Sequence, residues 1–231
     1  DILLPRFGFK YDLNDNLIVR GGVGRYSGGQ PNVWIGNAFS TNGISPVGFS
    51  IDANGENNIA VGAGDLTSIP QNALDAILAG GVSGDTNIND PDFTLPSDWR
   101  YQLALDYRFD IPTLGDDYLW TTEFLHIKRI DSAYWLDASL RESDIAGLAA
   151  DGRRILYNDD DSNFDILLTN TDDGGRSNIL STVLSKSFEN GWDFSASYTH
   201  QDITEAAPGT SSRAISNYLN TPSINPNVPD D

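Results

Sequence analysis

The sequence predicts an all-β fold: a transmembrane antiparallel β-barrel, of which the chain holds about six strands, carrying long extracellular loops. Three observations predict it. Apolar and polar residues alternate with period two in three paired blocks, the signature of a strand with one apolar face. The connections are short at one end of these strands and dozens of residues long at the other, as in outer-membrane barrels, where turns are short on the periplasmic side and loops long on the outside. No apolar run approaches the roughly 18–20 residues of a membrane helix, whereas a barrel strand spans with about 9–11 alternating residues.

The first block, near 5–26, sets Phe7, Phe9, Tyr11 and Leu13 against Arg6, Gly8, Lys10 and Asp12. It turns at Asn14-Asp15-Asn16 and returns through Leu17, Val19, Gly21 and Val23. The second, near 99–137, carries Tyr101, Leu103, Leu105, Tyr107 and Phe109 on one face and Arg100, Gln102, Ala104, Asp106, Arg108 and Asp110 on the other. A connection over 111–117 leads to a strand from Tyr118, with Trp120, Thr122 and Phe124 outward, that runs on past Ile127 towards Tyr134 and Leu136. The third, near 177–201, places Leu180, Thr182, Leu184 and Phe188 on one face. It turns at Glu189-Asn190-Gly191, where Asn-Gly favours a tight hairpin because both residues tolerate positive φ, and returns through Trp192, Phe194, Ala196 and Tyr198.

The long loops are 27–98, 138–176 and 202–231, rich in Gly, Asn, Asp and Pro, with a short helix expected at Asn72–Leu78 before the stop at Gly80-Gly81. Trp99, Phe109, Trp120, Phe188 and Trp192 fall at strand ends, where interfacial girdles of aromatic residues belong. Arg20, Arg100, Asp106 and Arg108 share the polar face and are the candidates for lining a wet lumen. A soluble β-sandwich or solenoid would show the same alternation, with the aromatic face as its core.

Composition narrows the function. Against 33 Asp and Glu stand 14 Lys and Arg, a net charge of −19 in 231 residues. Nucleic acid is excluded as a partner, since phosphate binding requires clustered cations. There is no cysteine, hence no disulfide or thiolate metal site, and only two histidines, His126 and His200. No nucleophile-elbow string occurs, so no catalytic residues are assigned and no enzyme is expected. The chain starts at Asp1 without methionine or a signal peptide, which suggests a mature product or an internal piece.

Two acidic runs have the oxygen-ligand character of calcium loops: Asp85, Asn87 and Asn89, and Asp159, Asp161 and Asn163. Both lack the glycine and glutamate that complete the usual loop, so a solvated loop competes with calcium as a cofactor. Gly21, Gly22, Gly24, Gly28 and Gly29 have no phosphate-loop spacing and read as strand glycines. Trp34, Phe39, Tyr134 and Trp135 lie in or near loops as candidate ligand contacts, with packing among the loops as the alternative.

Specific strings carry a family resemblance. Leu4-Pro-Arg-Phe-Gly-Phe-Lys-Tyr-Asp-Leu13 followed by Val19-Arg-Gly-Gly-Val-Gly-Arg-Tyr26 resembles the barrel of TonB-dependent outer-membrane receptors. Pro31-Asn-Val-Trp-Ile-Gly-Asn-Ala-Phe-Ser40, read as a loop, is similar to the Oar-like branch, as are Gly175-Arg-Ser-Asn178 and Ser187-Phe-Glu-Asn-Gly-Trp192. The resemblance covers nearly all of 1–231 and implies an internal part of a larger barrel in the outer membrane of a Gram-negative bacterium. It implies outer-membrane lipid around the barrel, TonB acting through a plug domain absent from this chain, and an extracellular ligand such as a peptide or polymer. A passive porin-like or structural surface barrel and a soluble secreted β-sandwich module are the competing functions.

Overall fold

The computed structural model describes residues 2–28, 31–43, 75, 85–150, 152, 155–157, 164–207 and 209–220. All three predicted hairpins form, and they join into one six-stranded antiparallel sheet. Its strands are β1 (Arg6–Asn14), β2 (Leu17–Ser27), β4 (Ser97–Ile111), β5 (Gly115–Ile130), β10 (Arg176–Ser187) and β11 (Asp193–Ile203), hydrogen-bonded in that order. β4 and β5, at 15 and 16 residues, exceed the roughly 9–11 that cross a bilayer.

The register aligns the faces. Phe9, Gly21, Leu103, Phe124 and Leu180 lie in one cross-strand row, and Lys10, Arg20, Ala104, Glu123 and Ser181 in the adjacent one. Directly paired residues point to the same side and neighbours alternate. The apolar row therefore belongs to a face that also carries Phe7, Tyr11, Tyr107, Trp120, Phe194 and Tyr198, with Phe7 69% and Tyr198 63% exposed. No second sheet covers this face among the described residues, so it is not the core of a sandwich. In water such a surface would be prohibitively apolar; in lipid it is the solvated side of a wall.

The turn of the third hairpin differs from the expected tight Asn-Gly type. The Phe188 amide donates to the Trp192 carbonyl at 2.7 Å, enclosing three residues, and the Gly191 amide donates to Phe188 at 3.0 Å. Only Gly191 has positive φ, at 86°, the arrangement of a three-residue loop ending in a left-handed residue. Asn190 instead caps the turn by accepting from the Trp192 amide at 3.2 Å.

The buried core sits in the loops. β3 (Thr86–Asn89) runs parallel to β9 (Asp165–Thr171), which pairs antiparallel with β6 (Ser132–Asp137). Two helices, α1 (Pro31–Ser40) and α2 (Ala214–Asn220), pack on this small sheet. Ala133, Trp135, Ile166, Leu168, Ala214 and Tyr218 are buried together, with Trp34, Ile35, Phe93 and Phe164 against them. A 3₁₀ turn (Glu142–Asp144) and a short hairpin, β7 (Ile145–Leu148) with β8 (Ile155–Tyr157), complete the described loop structure.

Three expectations are corrected here. Residues 31–40, read as loop, are helical: Asn37 ties α1 to the α2 region by donating to the Ser212 carbonyl at 2.8 Å and accepting from the Ala214 amide at 3.3 Å. The strand from Tyr118 does not run on to Tyr134 and Leu136. It ends at Ile130, Asp131 takes φ of 53°, and the chain enters β6 in the other sheet. The described residues of the long loops thus include helix and strand. The helix expected at Asn72–Leu78 lies outside the described residues except for Asp75, which is helical.

Candidate functional site: the polar face and the loop body above it

The charged residues of the polar face gather in three levels along the strands. At mid-height Arg20 on β2 bonds Asp106 on β4 at 3.0 Å and reaches Glu123 on β5 at 3.5 Å, while the Thr121 hydroxyl donates to the other Asp106 oxygen at 2.8 Å. Nearer the short turns Arg108 bonds Asp117 at 2.9 Å, and Asp110 accepts from the Asp117 amide at 2.8 Å. At the loop end Arg100 bonds Asp98 at 3.2 Å. The guanidinium groups of Arg6 and Arg100 stand over the Tyr26 ring at 4.3 and 5.1 Å from its centroid, a cation–π arrangement. Gly24 leaves room for it: a Cβ there would lie 3.0 Å from both Arg6 Cγ and Tyr26 Cε2.

All four residues expected to line a lumen, Arg20, Arg100, Asp106 and Arg108, thus share one face. Each is paired with a carboxylate or guanidinium of this same wall; Arg20–Asp106 and Arg108–Asp117 join neighbouring strands, whereas Arg100 bonds Asp98 on its own strand. Ile18, Leu119, Leu125, Ile127, Ile179 and Val183 share the face by register, so it is mixed rather than uniformly polar. Gly21, Gly22 and Gly24 are strand glycines inside β2, as expected.

Of the expected girdle aromatics, Trp99, Phe109, Phe188 and Trp192 lie at or beside strand ends, and Trp120 lies further in, as the sixth residue of β5. Phe109 stacks on Tyr107 at 5.4 Å and on Tyr118 at 5.8 Å near the turns, where Trp120 donates to Thr182 at 2.7 Å. Phe188 and Trp192 flank their turn, and Lys186 stands over the rings of Phe188 and Tyr118 at 5.2 and 5.3 Å. At the loop end Trp99 stacks on Tyr101 at 6.3 Å. Tyr107, Tyr118 and Tyr101 belong to the same aromatic clusters and were not singled out with them, although their alternation with Phe109 and Trp120 was the available signal.

The four candidate ligand contacts separate. Tyr134 and Trp135 are each 2% exposed, so both serve packing. Trp34 meets Trp135 edge to face at 5.0 Å and donates to the Ser211 carbonyl at 2.9 Å. Phe39 alone among them is open, at 79% exposure. Beneath Trp34, where the loop body meets the strand ends, lies a cavity of about 220 Å³ bordered by Tyr26, Ser97, Asp98, Arg129, Trp135 and Glu205. Arg129 and Glu205 bond across it and tie β5 to the segment after β11.

The first acidic run is spent on structure. Asp85 accepts from the Phe164 amide at 3.1 Å and Asn89 donates to the Ile35 carbonyl at 3.0 Å. Asn87 takes its place in β3. Asp90, just beyond, accepts from the Thr169 hydroxyl at 2.6 Å and the Asp92 amide at 2.9 Å. The Thr169 bond, then the Asp92 bond, hold its carboxyl below the usual value. Among the described residues no group of three or more His, Asp or Glu is placed to hold a metal; Asp159, Asp161 and Asn163 lie outside them.

With this geometry in place, comparison with known families gives one match. The family described as outer membrane beta barrel domain matches residues 3–228. No curated protein matches the chain.

Proposed function

Because the chain belongs to the outer membrane beta barrel domain family, and so sits in the outer membrane of a Gram-negative bacterium, we propose that it is wall and outer loops of a TonB-dependent receptor of the Oar-like kind. The loops bind a ligand such as a peptide or polymer, and the ligand is imported through a plugged barrel. TonB acts on the plug, which is supplied outside the residues described here. The chain contributes binding and containment and no catalysis.

The observation that carries this reading is the folded body over the strand ends. Three long connections build a common hydrophobic core outside the wall and leave a polar and aromatic cavity at its base. A rigid outer scaffold is what ligand recognition on loops requires. The strings shared with TonB-dependent receptors support the same reading.

A passive barrel is the second reading, favoured by the Arg20–Asp106–Glu123 network, which suits a water-filled lumen. Planar-bilayer recording on the full-length protein separates the two. A closed barrel, together with accumulation of labelled peptides only in cells that have TonB, is the expected result. Steady open conductance and TonB-independent accumulation would establish the passive barrel instead.

A further inference from the structure

We propose that Lys128 and Arg176 form a site for the phosphate of an anionic lipid headgroup in the outer leaflet, with an adjacent groove on the same face receiving acyl chain. The inference rests on the membrane-wall assignment and not on the transport reading.

Lys128 on β5 and Arg176 on β10 are directly paired across the sheet. On the neighbouring rung the Arg129 amide donates to the Gly175 carbonyl at 3.1 Å, which makes the Lys128–Arg176 rung the non-hydrogen-bonded kind, where side chains stand closest. Like charges placed directly opposite in this way destabilise a sheet. Both residues are exposed, and among the described residues neither side chain forms a hydrogen bond or an ion pair. Asp202, a rung below on β11, does not pair with Arg176.

The contrast with the same row is informative. Arg25, Trp99, Lys128 and Arg176 line up across four strands. Arg25 is neutralised from within by Asp131 at 3.6 Å and donates to the Ser97 hydroxyl at 2.9 Å. The other two cations are left bare in a chain with net charge −19, so a surplus of carboxylates was available and was not placed there. Their side of the sheet is the lipid side, and they share the rung of Trp99, whose stack on Tyr101 marks the interface. Lys and Arg at this depth meet headgroup phosphates, and a pair of them offers charge-assisted hydrogen bonds to one phosphate.

Below and beside them lies a groove of about 340 Å³ lined by Phe7, Phe9, Val23, Tyr101, Leu103 and Phe124. It opens where β2 presents glycine in the lipid-facing row between Phe9 and Leu103. Four residues of β5 separate Lys128 from Phe124, about 14 Å at strand rise, so a lipid held by its phosphate at the rim reaches the groove with its chain.

The test uses the full-length protein in detergent micelles, with bound lipid counted by native mass spectrometry. The probes are lipid A bearing two phosphates, the same lipid stripped of phosphate, and inorganic phosphate as competitor. The phosphorylated lipid is expected to bind about tenfold more tightly than the stripped one. K128Q/R176Q should abolish that preference and K128R should keep it, with folding judged by heat-modifiable gel mobility. Should the double variant not fold, K128Q and R176Q singly carry the test, each expected to reduce the preference. Equal binding of the two lipids, variants that bind as the parent does, or full displacement by millimolar inorganic phosphate would each overturn the proposal.

Discussion

Single residues in this protein are organised by which surface they face. Asp90 is an example from the loop body: its two carboxylate oxygens hold the Thr169 hydroxyl and the Asp92 amide, joining the end of β3 to β9. Its folded pKa is lowered, so its contribution to stability is fully present above the unfolded carboxylate value of about 3.9 and is lost as pH falls through the lower folded value. Hydrogen exchange of amides 86–94 is therefore expected to be insensitive to pH-dependent opening between pH 7 and about 5 and to lose protection below about pH 4. In Asp90→Asn this acid-induced loss should be shallower. An acid limb unchanged by the substitution would place the titrating group elsewhere.

At the scale of elements, the loop body depends on a few large side chains. Truncating Trp135 removes the ring on which Trp34 rests and opens a cavity among Ile166, Leu168 and Tyr218. Trp135→Ala is expected to cost about 3–5 kcal/mol. The loops should become protease-sensitive while the six-stranded sheet keeps its folded gel mobility; loss of both together would mean that wall and body form one cooperative unit. The elements also mark where sequence reading stops. The sheet strands were legible because period-two alternation fixes the face of each residue, and slipping by one would reverse them all. α1 was not, since Pro31–Ser40 has no buried stripe of its own and is held by Asn37 contacts to a segment some 175 positions away. Nor was the break at Asp131, whose left-handed conformation interrupts an alternation that continues without change into Tyr134 and Leu136. The parallel pair β3–β9 joins strands with no local turn between them. Ligand candidates failed for a related reason: an aromatic residue in a polar stretch looks available until the distant elements that cover it are known, as with Tyr134 and Trp135.

For the whole molecule, two faces in two solvents define the architecture, and adjacent positions on β4 test it. Leu103 is exposed on the apolar face and Gln102 points the other way. Leu103→Arg is expected to cost about 2–4 kcal/mol if it falls near the bilayer midplane, while Gln102→Arg should be close to neutral. Denaturant titration in lipid vesicles checks both. Similar costs at the two positions would contradict the assignment of faces.

The placement of the hydrophobic core outside the wall also fixes an order of assembly. Its parts come from α1, β3, β6, β9 and α2, segments scattered from Pro31 to Asn220. Each is tethered to a strand end, and those ends stand side by side only when β2, β4, β5, β10 and β11 have paired. Before that, gathering them requires closing several long loops at once, an entropic cost that the small core must meet alone. Once the strands are zipped together, the same segments are held at high local concentration on the far side of the bilayer. The cap is thus the last part to form, and its resistance to proteases reports that insertion is complete.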